Sequence, residues 1–356
     1  LNDISTIFDG THQTPKYKER GIKFLSVENI KDLDSNKYIS EEDFTKEFKN
    51  YPRHGDVLMT RIGDVGTTNV VKTNELLAYY VSLALIKPNC SDGTFLKYLI
   101  ESSPVQNELW RRTLHIAFPR KINKNEIGKV NIAIPNLQEQ ISIAKLLKKV
   151  DDIVALHQRK INILLKAKQN FMIYLFPLRE NLFPKLRLSG FHLAWEQCKL
   201  NEILKVNNGK DYKHLSNGDI AVYGTGGYML SVDDKLSDVD GIGIGRKGTI
   251  DKPQFLKAPF WTVDTLFYLT SMPNYHILFL FYLAQNIKWK KFDESTGVPS
   301  LSKKTIESIP TVVPSLEEQE ALGLTFKKID EFIELRQRKL KLLFKLKETY
   351  LRKIFI

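Results

Sequence analysis

Residues 135–140 read Pro-Asn-Leu-Gln-Glu-Gln, and residues 314–319 read Pro-Ser-Leu-Glu-Glu-Gln. The two segments lie 179 positions apart, and the offset holds without a gap to the C-terminus. It pairs Asp151 with Asp330, Gln158-Arg159-Lys160 with Gln337-Arg338-Lys339, and Phe176 with Phe355. Residues 135–176 carry 15 identities in 42 positions against their copies. Chance gives about two or three, so the block is duplicated. A weaker echo joins Leu1-Asn2-Asp3-Ile4 to Leu200-Asn201-Glu202-Ile203 at an offset of 199. The chain therefore alternates: variable block, shared block, variable block, shared block. The shared blocks must have one structure, and the variable blocks are expected to share a scaffold and differ in loops.

Each shared block reads as one long helix. Apart from Gly323, neither proline nor glycine interrupts residues 136–176 or 315–356. Apolar residues recur at three-four spacing through Leu147, Val150, Val154, Ile161 and Leu164, then Phe171 and Leu175. The copy gives Phe326, Ile329, Ile333, Leu340 and Leu343, then Tyr350 and Ile354. That is a heptad seam. It is interrupted at matched places, by His157 and Arg336 and by Lys168 and Lys347; polar seam residues lower stability and fix register. Two identical modules in a pseudo-twofold internal repeat pair antiparallel, so a coiled coil of about 57 Å is expected to act as a spacer. The alternative is that each helix packs on its own globular block. Asp151 and Asp152 read as helix-surface charges.

The variable blocks mix short strands, turns and one helix each, an α+β pattern. In the first, Gly21–Val27 and Asp56–Thr60 read as strands, and 94–112 as a helix capped by Thr94 and interrupted at Pro104. In the second, Asp219–Tyr223, Gly241–Gly245 and Phe260–Leu269 read as strands, and 274–290 as a helix. The domains drawn are 1–134, a central helix 135–178, a linker 179–194, a second variable domain 195–313 and a C-terminal helix 314–356. The fold class is α+β: two similar globular domains joined by two long antiparallel helices.

The chain carries 53 Lys and Arg against 41 Asp and Glu, a formal charge of +12 and a pI near 9.3. Such an excess suits a polyanion, most simply nucleic acid. Four loops combine donors with glycine, which lets a backbone approach a phosphate. The first variable block offers Thr11, His12, Gln13, Thr14, Lys16, Tyr17 and Lys18, then Arg61, Thr67 and Thr68. The second offers Tyr223, Thr225 and Tyr228, with Lys210, Tyr212 and Lys213 upstream, then Arg246, Lys247 and Thr249. Arg forks onto guanine, Gln or Asn onto adenine, and Thr reaches phosphate or a thymine methyl. Arg61 and Arg246 occupy comparable places, after a strand and beside a glycine. Late basic residues suit phosphates: Arg111, Arg112, Arg120, Lys121 and Lys124, then Lys288, Lys290, Lys291, Lys303 and Lys304. His115 is a further candidate to face DNA.

Several chemistries lack their motifs. Cys90 and Cys198 are too few for a disulfide framework or zinc ribbon. The longest apolar run, Ile277–Ala284, has 8 residues, against about 20 for a spanning helix. With no signal peptide, a reducing, cytoplasmic setting is expected. Gly243-Ile244-Gly245-Arg246-Lys247-Gly248 matches a dinucleotide fingerprint, but Pro253 leaves no room for the helix that must follow. No Asn-Pro-Pro-aromatic or Asp-Pro-Pro-Tyr segment marks an amino-methyltransferase. No phosphate-binding G-x-x-x-x-G-K-[ST] loop marks an ATP motor. Glu47-Phe48-Lys49 has nuclease-like spacing without the preceding Pro-Asp, and reads as a solvated face. The expectation is no catalysis, no cofactor and no metal in this chain.

The layout resembles the specificity subunit of type I restriction–modification systems. The resemblance rests on the two Pro-x-Leu-x-Glu-Gln starts and their helices. Trp195–Leu200, Gly55–Leu58 with Arg61-Ile62-Gly63, and Gly10-Thr11-His12 with Thr14-Pro15 support it. It implies two target recognition domains, each reading one half of a bipartite double-stranded DNA site, with the helices setting the spacer. It also implies two modification subunits that bind S-adenosylmethionine and methylate adenine. Restriction subunits, a helicase-nuclease using ATP and Mg, complete the complex. A segment like Trp195–Lys199 is expected before Leu1. The alternative readings are a standalone DNA-binding or anti-restriction protein, and an RNA- or protein-binding coiled-coil scaffold without methyltransferase partners.

Overall fold

The computed structural model describes residues 1–177 and 181–355. The junction drawn between central helix and linker, residues 178–180, lies outside the described residues. The chain forms two compact units that do not follow the boundaries drawn from sequence. Unit 1 comprises residues 1–158 and 338–356, and unit 2 comprises 159–337. Each unit therefore takes half of each long helix.

Unit 1 runs β1 (Ser5–Asp9), β2 (Ile22–Leu25), β3 (Tyr38–Ile39), α1 (Glu41–Glu47), β4 (Val57–Thr60), β5 (Thr68–Val70), β6 (Leu77–Tyr79) and β7 (Leu83–Pro88). Then come α2 (Gly93–Glu101), α3 (Ser103–Arg112), α4 (Lys124–Gly128) and the first half of α5 (Leu137–Leu175). One sheet has the order β1-β7-β4-β5 and the other β3-β2-β6. The helix expected over 94–112 starts earlier, because Asp92 caps it on Phe95 N at 2.8 Å. It divides at Ser102, where Pro104 begins a new first turn and cannot donate into the old one.

Unit 2 repeats the plan. After β8 (Glu196–Lys199) and α6 (Leu200–Ile203) come β9 (Leu204–Asn208), β10 (Asn217–Gly224), β11 (Gly227–Val232), β12 (Gly241–Gly245), β13 (Gln254–Leu256), β14 (Phe260–Thr262) and β15 (Leu266–Ser271). Next are α7 (Ile277–Asn286), α8 (Lys303–Ser308), β16 (Pro310–Val313) and α9 (Leu316–Ile354). Two of its sheets have the orders β9-β15-β12-β13 and β11-β10-β14, matching those of unit 1 strand for strand. β8 pairs with β16 in a further two-stranded sheet that has no counterpart among the described residues of unit 1. In both units the three-stranded sheet contains one parallel pair, β2 with β6 and β10 with β14. Residues 181–195 are packed onto this unit. Leu182 and Leu188 lie against its core, and Arg187 forks onto the buried Glu318 at 2.9 and 2.7 Å.

The duplicated motif has a shared physical cause. Gln140 and Gln319 are almost fully buried. Each amide nitrogen donates to the carbonyl of the motif's proline, Pro135 or Pro314, at 2.9 Å. Each amide oxygen accepts a backbone N–H at the start of a packing helix, Asp92 before α2 at 3.1 Å and His276 before α7 at 3.0 Å. One side chain thus ties the start of the long helix to the core helix beneath it, satisfying groups that burial would otherwise leave unpaired.

The long helices pair within each unit and also pack on its core. In unit 1, Ala144 and Leu147 of α5 join Phe355 beyond α9 in the core, and Asp151 meets Lys347 at 2.7 Å. In unit 2, the Phe176 and Phe326 rings pack tilted at 5.8 Å, and Lys168 meets Asp330 at 2.7 Å. In both units rising numbers on α5 face falling numbers on α9, so the halves run antiparallel. The seam positions Leu147, Val150, Ile161, Phe326 and Ile333 are buried, and Val154, Leu164, Ile329, Leu340 and Leu343 are half-buried. Phe171 departs from the expected seam: it is exposed, and Met172 takes the inward position. Asp151 is likewise not a free surface charge but a half-buried, paired one. It accepts from the Tyr98 hydroxyl at 2.8 Å, as Asp330 accepts from Tyr282 at 2.9 Å. The lysines that interrupt the seam are the partners of these two aspartates.

Candidate nucleic-acid interface

The two sequence-matched arginines meet different fates. In unit 1, Thr60 ends β4 and the chain turns through Arg61 and Gly63. The Arg61 carbonyl accepts from Ile122 N at 3.0 Å, and Gly63 N donates to Arg120 O at 2.7 Å. In unit 2 the Arg246 carbonyl accepts from Leu301 N at 3.0 Å, and Gly248 N donates to Pro299 O at 2.8 Å. The backbones match. The Arg61 side chain, however, is buried at 6% exposure, donates to Ile122 O at 3.1 Å and is ion-paired with Asp9. Burial lowers its pKa from the ordinary arginine value, and the adjacent carboxylate leaves the guanidinium charged. Arg61 is therefore an internal brace, which corrects its reading as a base contact. Arg246 is exposed, its guanidinium carbon 5.8 Å from the Phe267 ring centre.

The neighbours explain the divergence. Asp9 pairs with Ala84 across β1 and β7, and Asn208 pairs with Phe267 across β9 and β15. Unit 1 thus offers a carboxylate and the space above a methyl group. Unit 2 offers a neutral amide and a phenyl ring, so the guanidinium lies over the ring face and keeps its donors outward.

Unit 2 gathers several of the other candidates. Asp211, Tyr212, Lys213, Thr225 and Tyr228 line an open cavity of about 690 Å³ with the turn Gly224–Gly227 and Val263–Thr265. Tyr223 and Tyr228 meet edge to face at 6.4 Å, and Tyr228 is exposed. Arg246 N donates to Thr265 O at 2.8 Å, so its backbone adjoins a lining residue, while its side chain lies over Phe267, outside the cavity lining. Lys210 is exposed beside it, held through its backbone by Thr262 and Trp261. Lys247 is exposed and bridges to Ser300; Thr249 is half-buried. Lys303 and Lys304 are exposed in the first turn of α8, with Lys303 3.6 Å from Glu307. The fingerprint-like glycines lie in β12 and lead to a turn and β13, not a helix.

In unit 1 the segment 11–18 is open. His12, Gln13, Thr14, Lys16, Tyr17 and Lys18 are exposed, and Thr11 donates to Glu47 at 2.9 Å. Thr67 is half-buried and donates to Asp64 at 2.6 Å. Thr68 is buried under α2, near Lys97 O and Glu101, so it is not presented to a ligand. Arg120 and Lys121 are exposed, while Arg111 and Arg112 are paired with Glu108. Phe48, placed in a solvated stretch from sequence, is buried beside Phe44.

Residues 1–167 and 193–344 match the type I restriction modification DNA specificity domain. The chain belongs to this family. A putative type I restriction enzyme specificity subunit, MjaX, from Methanocaldococcus jannaschii is 24% identical over 95% of this chain and 87% of its own. The MjaVIII specificity subunit of the same organism is 24% identical over 61% of this chain and 59% of its own. The crystal structure of a type I S subunit from M. genitalium covers 100% of this chain and 94% of its own, with a TM-score of 0.71 and 18% identity. A structure from work on assembly and conformational transition of the type I restriction–modification system covers 98% and 96%, with a TM-score of 0.54 and 13% identity. These likenesses give the specificity-domain fold. Among the described residues no cluster of His, Cys, Asp or Glu is arranged to hold a metal, and no helix is long and apolar enough to cross a membrane.

Sequence reasoning missed Asp9 as the partner of Arg61, because that contact depends on strand pairing across 52 positions. It also missed Gln140 and Gln319 as ties, although both stand in the repeated motif.

Proposed function

We propose that this specificity-domain chain is the DNA-reading subunit of a type I restriction–modification complex. Each unit reads one half of a bipartite duplex site, and the paired helices set the distance between halves. Two modification subunits carry S-adenosylmethionine and methylate adenine. Restriction subunits carry ATP and Mg for cleavage. The chain itself performs no catalysis, holds no cofactor and works in the cytoplasm. The observation that carries this reading is the strand-for-strand repetition of one scaffold, with donor-bearing loops in each copy and the two long helices shared between copies. Unit 2 presents Lys213, Tyr212, Thr225 and Tyr228 around one opening and an exposed Arg246 on the turn bonded to Thr265, groups able to hold phosphates and to fork onto a base edge.

Reconstitution with the modification subunits tests this, with methylated adenines mapped across a genome. The expected product is one bipartite motif. Methyl transfer by this chain alone would refute its non-catalytic role. The spacer is tested by matched four-residue insertions after Gln158 and after Gln337. Four residues add about 6 Å of rise as a stutter that a coiled coil absorbs. At about 3.4 Å per base pair, both half-sites should persist with a spacer longer by about one to two base pairs. An unchanged spacer would show that the helices do not set it.

A further inference from the structure

One loop of unit 1 carries side chains that neither the core nor the proposed polar readout uses. After α3 the chain makes a closed excursion from Leu114 to Lys121, fastened where Leu114 N donates to Lys121 O at 2.8 Å. Its base is braced. Thr113 donates to Leu109 O at 2.7 Å, and the His115 ring packs on Trp110 at 4.3 Å while its Nε2 donates to Trp110 O at 2.9 Å. The Arg120 guanidinium lies 4.9 Å from the Trp110 ring centre. At the tip Ile116 is 99% exposed and Phe118 is fully exposed. Scattered surface apolar residues are ordinary, but two fully exposed ones on one braced tip give the folded chain nothing in water.

The charge around the tip selects its occupant. Arg120 and Lys121 at the foot of the loop are exposed, whereas Arg111 and Arg112 on α3 are paired with Glu108, and Arg112 also with Glu126. The loop also adjoins the Arg61 turn through Gly63 and Arg120, and Ile62 bridges to Lys121. An apolar point flanked by two exposed cations suits a polyanion with an apolar interior, which is stacked duplex DNA. Unit 2 lacks the device. Its hydrogen bonds place Pro299 opposite Gly248 as Arg120 stands opposite Gly63, and the stretch leading to Pro299 is Ser295-Thr296-Gly297-Val298, which has no aromatic and one exposed apolar side chain, the smaller Val298 at 67%.

We infer that Ile116 and Phe118 form a wedge that enters a base step of the half-site read by unit 1, while Arg120 and Lys121 hold the flanking phosphates. This rests on the DNA-reading function proposed above and adds an asymmetry to it: one half-site is unstacked and the other is not. Apolar insertion opens and kinks the duplex at that step.

The test uses the full chain reconstituted with modification subunits on a duplex carrying its mapped methylation site. Unstacked pyrimidines are probed with permanganate and purines with diethyl pyrocarbonate, leaving out the target adenines and their partners. One step should become at least about threefold more reactive, in the half-site whose recognition survives Arg246→Ala. Ile116→Ser with Phe118→Ser should return it to background and weaken DNA binding about tenfold. Phe118→Leu, which keeps an apolar point, should retain part of the signal. Thermal unfolding should be unchanged, because neither side chain is packed. If the site is methylated but no step is reactive, or the serine variant leaves reactivity unchanged, the wedge is refuted while the function stands. If the serine variant loses its modification subunits and the wild-type duplex is undistorted, the loop docks protein and the inference falls. Absence of any directed methylation would remove both.

Discussion

Unit 1 and unit 2 place an arginine at the same turn with the same backbone hydrogen bonds, and use it oppositely. In unit 1, Asp9 and Ala84 draw Arg61 inside. In unit 2, Asn208 and Phe267 leave Arg246 at the surface. A duplicated scaffold preserves where a residue stands and not what it does. The role is set by two neighbours on adjacent strands, and those neighbours are free to differ once the backbone is held by its own hydrogen bonds. Unit 1 in turn carries the apolar tip at Ile116 and Phe118, where the matching stretch of unit 2, residues 295–298, offers only the smaller Val298.

The sharpest way to break the comparison is to remove both arginines separately. Arg61→Ala leaves a partly buried Asp9 and the Ile122 carbonyl without their donor, and should destabilise unit 1 by about 3 kcal/mol. Arg246→Ala should cost under about 0.5 kcal/mol of stability and about 1–3 kcal/mol of discrimination at one half-site. Thermal unfolding and competition binding report the two quantities. Equal stability losses would erase the distinction.

The glutamine ties should behave alike in both units, because burial and partners match. Gln140→Ala and Gln319→Ala should each cost about 1–3 kcal/mol in denaturant unfolding. A loss confined to one would show that the motif has two roles.

A third experiment tries to convert one unit into the other. Asn208→Asp with Phe267→Ala gives unit 2 the carboxylate and the space of unit 1. Arg246 should fold inward, and binding to its half-site should weaken by about 1–2 kcal/mol. Undiminished binding would mean that Arg246 does not require its outward position.

The ion pairs are the smallest effect. Lys168→Met and Lys347→Met should each cost about 0.5–1 kcal/mol, less at high salt, because both pairs are partly solvated. The tyrosines on the same aspartates give an alkaline signature. Burial first, and then the neighbouring carboxylate, raise the pKa of Tyr98 and of Tyr282 above the ordinary 10.0. A raised folded pKa contributes stability that is present below the unfolded value and lost as pH climbs past it. Stability should therefore fall above about pH 10. Tyr98→Phe and Tyr282→Phe should flatten that fall in unfolding curves taken across pH.

The legible parts of the molecule were those written as repetition. The offset of 179 sets helices Leu137–Leu175 and Leu316–Ile354 in register residue for residue, and period alone locates their inner faces as far as Leu164. Short apolar runs located β4 and β12. What period and spacing could not carry were contacts made through strand pairing. Asp9 reaches Arg61, and Ala84 replaces Phe267, only after the register of three strands is known. The aspartates on the helices looked solvated because their tyrosine partners stand on other elements, at an offset of 184 and not 179. The tip at Ile116 and Phe118 lay in a stretch noticed for its charge, and its exposure follows from how Leu114 and Lys121 close the loop.

The division of the chain also sets an order of synthesis. Unit 2 is one uninterrupted stretch, residues 159–337, whereas unit 1 takes its last pieces from beyond it. When residue 337 has been added, every residue of unit 2 has been made, while unit 1 still lacks Phe355, which packs on Phe95 in its core. The domain translated first is therefore the one finished last, the reverse of the usual N-terminal-first sequence. Until then its half-built core, open where Tyr350, Leu351 and Phe355 will sit, is the part of the nascent chain most exposed to chaperones and proteases.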